Sequence, residues 1–224
     1  MSLRSLHEKI YMINESAGSI GLFNTVINSS YAAYTKYAFA LTETVVIAEL
    51  RWQGLEHEMI KQKVVVDDLL QIRSQISRQG AFRTIWQRLE KLPYEYIYLI
   101  AKGHADLRRF TVLFAILLEH RLLRELIANV LLNKIKQFDL TIKPTDLRGF
   151  FETQREESQT LAKWSEATYQ KASSNTVSVL VGAGLLQPIN SKGTYEIRAT
   201  PVPIALKQQL MVDGFERFLV LMLN

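Results

Sequence analysis

The sequence contains no cysteine, so it forms no disulfide, thiolate metal site, iron–sulfur cluster or thiol nucleophile, and it suits a reducing, intracellular setting. Long apolar runs are missing too. The stretch Phe110–Leu118 is far shorter than the roughly 20 residues of a membrane-spanning helix. The charge-free stretch from Ser16 to Thr35 is interrupted by Ser19, Asn24, Asn28, Ser29 and Ser30, which hydrocarbon would not tolerate without partners. The opening MSLRSLHEKIYM has no apolar block ending in small residues, so no secretory signal is read there. These absences predict a cytoplasmic, non-membrane protein.

Catalytic signatures are equally scarce. The four histidines (His7, His57, His104, His120) include no pair at the four-residue spacing that lets one helical face bind zinc, and His57-Glu58 lacks its second histidine. No Gly-Lys dipeptide occurs, which excludes a Walker loop, and Gly182-x-Gly184 lacks the third glycine of a dinucleotide fingerprint. There is no Gly-x-Ser-x-Gly elbow, and no acidic residue is followed two places later by lysine, as a metal-dependent nuclease would suggest. The pairs Asp67-Asp68 and Glu156-Glu157 are adjacent, so on a helix they point in different directions. The expectation is a protein that is not an enzyme and holds no cofactor or metal.

What is present is a globular balance: 48% hydrophobic and 22% charged residues over 224 positions, enough for one or two compact units. The formal charge is +5, from 27 basic and 22 acidic residues. Between Leu69 and Arg109 lie eight basic residues (Arg73, Arg78, Arg83, Arg88, Lys91, Lys102, Arg108, Arg109) and three acidic ones (Glu90, Glu95, Asp106), so that segment carries the whole excess and the remainder sums to zero, 19 against 19. Phosphate recognition calls for such a concentration of cations, although a solvated helical face has the same composition.

The five prolines begin at Pro93, and period-2 alternation is rare, so the fold is read as mainly α, a helical bundle. Tyr31–Trp52 reads as a long helix ending near Gly54, preceded by a Gly/Ser/Asn-rich loop or helix start at residues 14–30. Val64–Gly80 supplies a short helix. Ser77 then caps a second one running to about Lys91, stopped before Pro93. On this second helix Ala81, Phe82, Ile85, Trp86 and Leu89 share one side, and Arg83, Thr84, Gln87, Arg88 and Lys91 the other. A short helix, a turn and a basic amphipathic helix form a helix-turn-helix-like segment. Asp106 is placed as the cap of a helix whose Phe110–Leu118 section is apolar nearly all round and therefore the buried centre of the bundle. It continues, with a break, through Arg121 and Arg124 toward Lys136.

A boundary is placed near Asp139–Pro144, dividing a helical unit, 1–140, from a C-terminal unit, 141–224. Ser165 caps a helix closed by Gly182-Ala183-Gly184. Gln187–Ile189 and Thr194–Ala199 then form a small β-hairpin around Asn190-Ser191-Lys192-Gly193, and Ile204–Leu223 is a final helix. Helix, hairpin and closing helix is a winged-helix-like order.

Several segments in sequence carry a family resemblance: Asp68 to Arg78 (DLLQIRSQISR), the Arg88-Leu89 pair, Phe114 to Leu126 (FAILLEHRLLREL), Gly149-Phe150-Phe151, and Thr168 to Leu186 (TYQKASSNTVSVLVGAGLL). From about Val64 onward the chain resembles the BrxA family of BREX bacteriophage-defence systems. The resemblance implies an α-helical cytoplasmic protein that binds double-stranded DNA without cutting it and works beside methyltransferase, ATPase and protease-like BREX partners. It also implies similarity to the helical bundle of the antitermination factor NusB, which keeps RNA in play as a partner. That family has also been described as inner-membrane, a description the hydropathy here opposes.

The DNA-contacting residues predicted from charge and resemblance are Arg73, Arg78, Arg83, Gln87, Arg88 and Lys91, assisted by Arg108 and Arg109. A second candidate is the hairpin unit, with Lys192 and Arg198 along a groove and Gln170, Lys171 and Ser174 entering it. Thr145–Glu166 carries three basic and five acidic residues, which makes this unit the weaker DNA candidate and a reasonable protein-docking module. A scaffold for other defence subunits is therefore the rival expectation. Trp52, Trp86 and Trp164 are able to stack on unpaired bases, but Trp86 sits on an apolar helix face and reads as core, so single-strand binding is not favoured.

Overall fold

A computed structural model describes residues 30–33 and 36–224. The loop or helix start expected at residues 14–29 lies outside the described residues. The chain is mainly helical, with a small three-stranded antiparallel sheet.

Helix α1 spans Leu41–Trp52, ten residues shorter than the sequence pattern suggests. The reason is tertiary. Tyr37 and Ala40 take left-handed backbone conformations, and the carbonyls of Tyr37, Ala38 and Phe39 accept from the Arg88 guanidinium instead of from helical N–H groups. At its other end α1 closes as expected at Gly54 (φ 81°), where Leu55 N–H reaches the Leu50 carbonyl and Gly54 N–H that of Arg51. These two bonds are a Schellman closure, which needs a residue comfortable at positive φ.

Helix α2, His57–Lys61, runs directly into a π-helical turn, Gln62–Val66. Helix α3 then covers Gln75–Glu90. Its N-cap is Ser74, whose Oγ accepts from Ser77 N–H at 3.2 Å, three residues before the expected cap. The turn in the helix-turn-helix-like segment is therefore the loop 67–74, shaped by Asp68, which accepts from Ile72 N–H at 2.9 Å. Gly80 lies inside α3, not at a turn.

Helix α4, Tyr94–Lys102, packs on α1 and leads into α5, Ala105–Glu119. Residues 110–117 of α5 are all buried, as their all-round apolarity predicts. Phe114 sits against Tyr96, Phe215 and Phe218 at ring separations of 5.0–5.4 Å. Asp106 is not the cap, which is His104; Asp106 lies in the first turn. The break falls at His120, whose backbone is extended. Arg124 there donates to the Leu117 carbonyl at 2.6 Å, satisfying an end of α5. Helix α6, Arg121–Leu126, a π turn, Ile127–Leu131, and α7, Leu132–Lys136, follow without interruption.

The remaining elements are β1 (Thr141–Ile142), α8 (Pro144–Glu157), α9 (Gln159–Ala162), α10 (Glu166–Gly182), β2 (Leu186–Pro188), β3 (Tyr195–Ile197), α11 (Ile204–Val212) and α12 (Phe218–Leu221). Ser165 caps α10 as expected, accepting from Thr168 N–H. The hairpin is present, and its outer partner β1 adds a strand the sequence does not announce. Thr141 pairs with Glu196 and Ile142 with Tyr195, giving the order β1-β3-β2. The expected closing helix is divided by a turn at Asp213–Arg217, where Gly214 has φ 74°.

Candidate nucleic-acid interface

Helix α3 buries Ala81, Phe82, Ile85 and Leu89, and its opposite side is open to solvent. Gln79, Arg83 and Gln87, spaced four apart, form an exposed amide–guanidinium–amide stripe. Arg73 is exposed in the loop that leads into the helix. Neither Arg73 nor Arg83 makes a salt bridge with an acidic residue among the described residues. Gln79 is the member the sequence reading missed, although its place one turn before Arg83 was a usable signal.

Arg88 corrects the sequence expectation. It is 1% exposed and cannot contact phosphate in this structure. Position 88 is seven residues beyond Ala81, which at 100° per residue sets it only about 20° away, on the core side. Its guanidinium donates to the carbonyls of Phe39 (3.0 Å), Tyr37 (3.4 Å) and Ala38 (3.5 Å), and to Thr44 Oγ1 (3.4 Å). The charge thus serves three successive backbone acceptors and fastens the segment before α1 onto α3.

The other predicted cations divide by their partners. Arg78 pairs with Asp68 at 2.8 Å, Lys91 with Glu119 at 2.6 Å, Arg108 with Glu49 at 3.1 Å, Arg109 with Asp106 at 2.8 Å and Arg198 with Glu196 at 2.6 Å. Arg108 also donates to the Ala101 carbonyl. Lys192 is exposed in the β2–β3 turn, where Asn190 Oδ1 accepts from its backbone N–H. On α10, Gln170, Lys171, Ser174 and Ser178 share an exposed side, and Tyr169, Ala172, Thr176 and Leu180 are buried. Ser178 extends the predicted set by one turn. Beneath α10, Tyr169 is buried with its hydroxyl donating to the Phe151 carbonyl.

Buried basic groups adjoin α3 from within. Burial, followed by the charges of Arg88, Arg124 and Lys91, pushes the His120 imidazole down to about 3, so it is neutral at physiological pH. Burial also lowers Arg124 to about 10, leaving it cationic. Among the described residues no group of three or more metal-ligating side chains could hold a metal ion, and no helix is long and apolar enough to cross a membrane.

The BrxA family model matches residues 31–212. Two relatives carry the name BREX protein BrxA. That of Bacillus cereus (strain H3081.97) is 25% identical over 162 residues, covering 72% of this chain and 80% of the relative. That of Escherichia coli O9:H4 (strain HS) is 24% identical over 168 residues, covering 75% and 79%. The crystal structure of an uncharacterized protein from Magnetospirillum magneticum superposes with a TM-score of 0.70 at 19% identity, over 87% of this chain and 98% of that one. It shares the fold.

Proposed function

The chain belongs to the BrxA family and is therefore a component of a BREX phage-defence system, and from that premise we propose that it is a cytoplasmic, non-catalytic subunit that binds double-stranded DNA. The observation that carries this reading is the exposed stripe Gln79–Arg83–Gln87 on α3 with Arg73 ahead of it. Guanidinium groups with no carboxylate partner among the described residues are available to phosphates, and amides that flank a guanidinium suit hydrogen bonding to base edges or sugar–phosphate oxygens.

The test is binding of the purified protein to a labelled random duplex, a single strand and an RNA hairpin at two salt concentrations. Duplex affinity is expected to fall steeply with salt. Replacing Arg73 and Arg83 together by Ala should weaken binding to all sequences alike and make the log–log salt slope shallower by roughly two units. Arg88 must stay intact in this experiment, because its removal disturbs the fold. Unchanged duplex binding by the double variant removes the α3 face from consideration.

A second DNA-facing unit is favoured by the element order β1, α8, α9, α10, β2, β3, which is that of a winged helix with α10 in the recognition position. Gln170, Lys171, Ser174 and Ser178 would enter a groove there, with Lys192 on the wing. Replacing Lys171 and Lys192 by Ala reports on it separately. The rival, a protein scaffold, is supported by the exposed apolar side chains Ile204, Met211 and Val212 on α11. Co-purification of another BREX subunit that survives high salt and nuclease would favour it.

A further inference from the structure

Where α1 ends against α4 lies an aromatic surface that the duplex reading does not use. Tyr94 and Tyr98, one turn apart on α4, are 50% and 47% exposed. Each ring centroid is 4.9 Å from that of Trp52 at the end of α1, Tyr94 nearly parallel at 27° and Tyr98 tilted at 56°. The Tyr94 hydroxyl also donates to the Trp52 carbonyl at 3.2 Å. Trp52 is only half-buried, despite packing against the core. Three rings are thus held together with aromatic surface turned to solvent.

Cations border this surface. Lys102 is exposed one turn beyond Tyr98 on the same side of α4. Arg51, next to Trp52, lies 5.6 Å over the Trp86 ring of α3 and donates to the Leu89 carbonyl at 2.6 Å. Glu90 and Glu95 are the acidic neighbours in sequence, both exposed. Through Arg51 and Trp86 the aromatic surface is continuous with the α3 helix that carries Arg83 and Gln87.

We propose that Trp52, Tyr94 and Tyr98 form a stacking platform for unpaired bases, so that the protein binds a single-stranded DNA tail joined to the duplex held on α3. Bases of any identity present a π face to such rings, and Lys102 supplies a cation for the passing phosphate. The placement of the duplex rests on the reading in the preceding subsection; the stacking does not.

The experiment compares a blunt duplex with the same duplex carrying a ten-nucleotide thymine tail, by fluorescence anisotropy, for the full chain and for Tyr94→Ala/Tyr98→Ala. The tailed duplex should bind about tenfold more tightly than the blunt one, in line with the contribution of one or two stacked bases. The double variant should lose that advantage with blunt-duplex affinity unchanged, whereas Tyr94→Phe/Tyr98→Phe, which keeps the rings, should retain it. Thermal unfolding of each variant confirms that it is folded. Equal affinity for blunt and tailed duplexes, or an advantage that survives removal of both rings, overturns the platform. Failure of the blunt duplex to bind, with the tailed one still held through the tyrosines, overturns the duplex reading and leaves the platform standing.

Discussion

A guanidinium in a protein interior loses its hydration, and Arg88 recovers hydrogen bonds by turning to the carbonyls of residues 37–39. Replacing it by Met keeps much of the volume and removes every one of those bonds. Arg88→Met should cost about 3 kcal/mol in urea denaturation, because the hydrogen bonds to four acceptors are lost together. An apolar-periodicity argument reads a charge as a surface marker, which is why Arg88 looked like a phosphate ligand. Its spacing from Ala81 already sets it on the core side, and the acceptors, 49 to 51 residues earlier in the chain, show what the charge does there. His120 offers a second prediction at this scale. Its folded-state pKa, about 3, lies below the ordinary value of 6.5, so between these two pH values the unfolded chain binds the extra proton. Its contribution to stability is therefore complete above pH 6.5 and is lost as the pH falls from 6.5 toward 3, with a limiting slope of about 1.4 kcal/mol per pH unit. His120→Gln should flatten the acid limb of the stability profile, as measured by denaturation at a series of pH values.

At the level of elements, ends governed by local chemistry were legible and ends governed by distant contacts were not. Ser165 and Gly54 mark the ends of α10 and α1 because a hydroxyl cap and a positive-φ glycine act within a few residues. Ser74 and Ser77 are both capable caps, and they bond each other through their hydroxyls at 2.9 Å, so composition alone did not choose between them. Ser74→Ala should lower stability by about 1 kcal/mol, and Ser77→Ala by less, in paired chemical denaturations. Strand β1 is two residues long and exists only by pairing with β3, more than fifty positions away. Gly184 (φ 74°) closes α10 just as locally, with Leu185 N–H on the Leu180 carbonyl and Gly184 N–H on that of Val181, but the last helical residue, Gly182, is constrained from a distance. A Cβ on Gly182 would come within 2.8–3.0 Å of the Phe39 side chain. Gly182→Ala should therefore destabilise the fold by about 1–3 kcal/mol, despite the better helix propensity of alanine, as a thermal melt would show.

For the molecule as a whole, the concentrated positive charge between Leu69 and Arg109 overstates the number of free cations in that region. Of the eight, one is buried and four are paired with carboxylates. Arg73, Arg83 and Lys102 remain exposed without an acidic partner among the described residues. Three free cations are fewer than the 6–10 phosphate contacts that produce the steepest salt dependence. Binding through Arg73 and Arg83 on the α3 face alone should accordingly show a log–log slope of about −2, and a steeper measured slope would require Lys102 or the α10 and β2–β3 surface as well. The candidate site was thus visible as a region, and the selection of residues within it had to come from burial and pairing.

Strand β3 has a neighbour on each side, and the one on its outer side is only Thr141 and Ile142. The Leu140 carbonyl extends this cover by accepting from Ile197 N–H at 2.8 Å. An Ile142→Pro chain, unable to hold β1 in the ladder, would leave Tyr195–Ile197 as an open edge, whose bare N–H and C=O groups invite a strand from another molecule. Such a variant of the full chain should self-associate with concentration in sedimentation, whereas the natural sequence keeps its sheet shielded. Three residues of chain thus decide whether the C-terminal sheet stays solitary or polymerises.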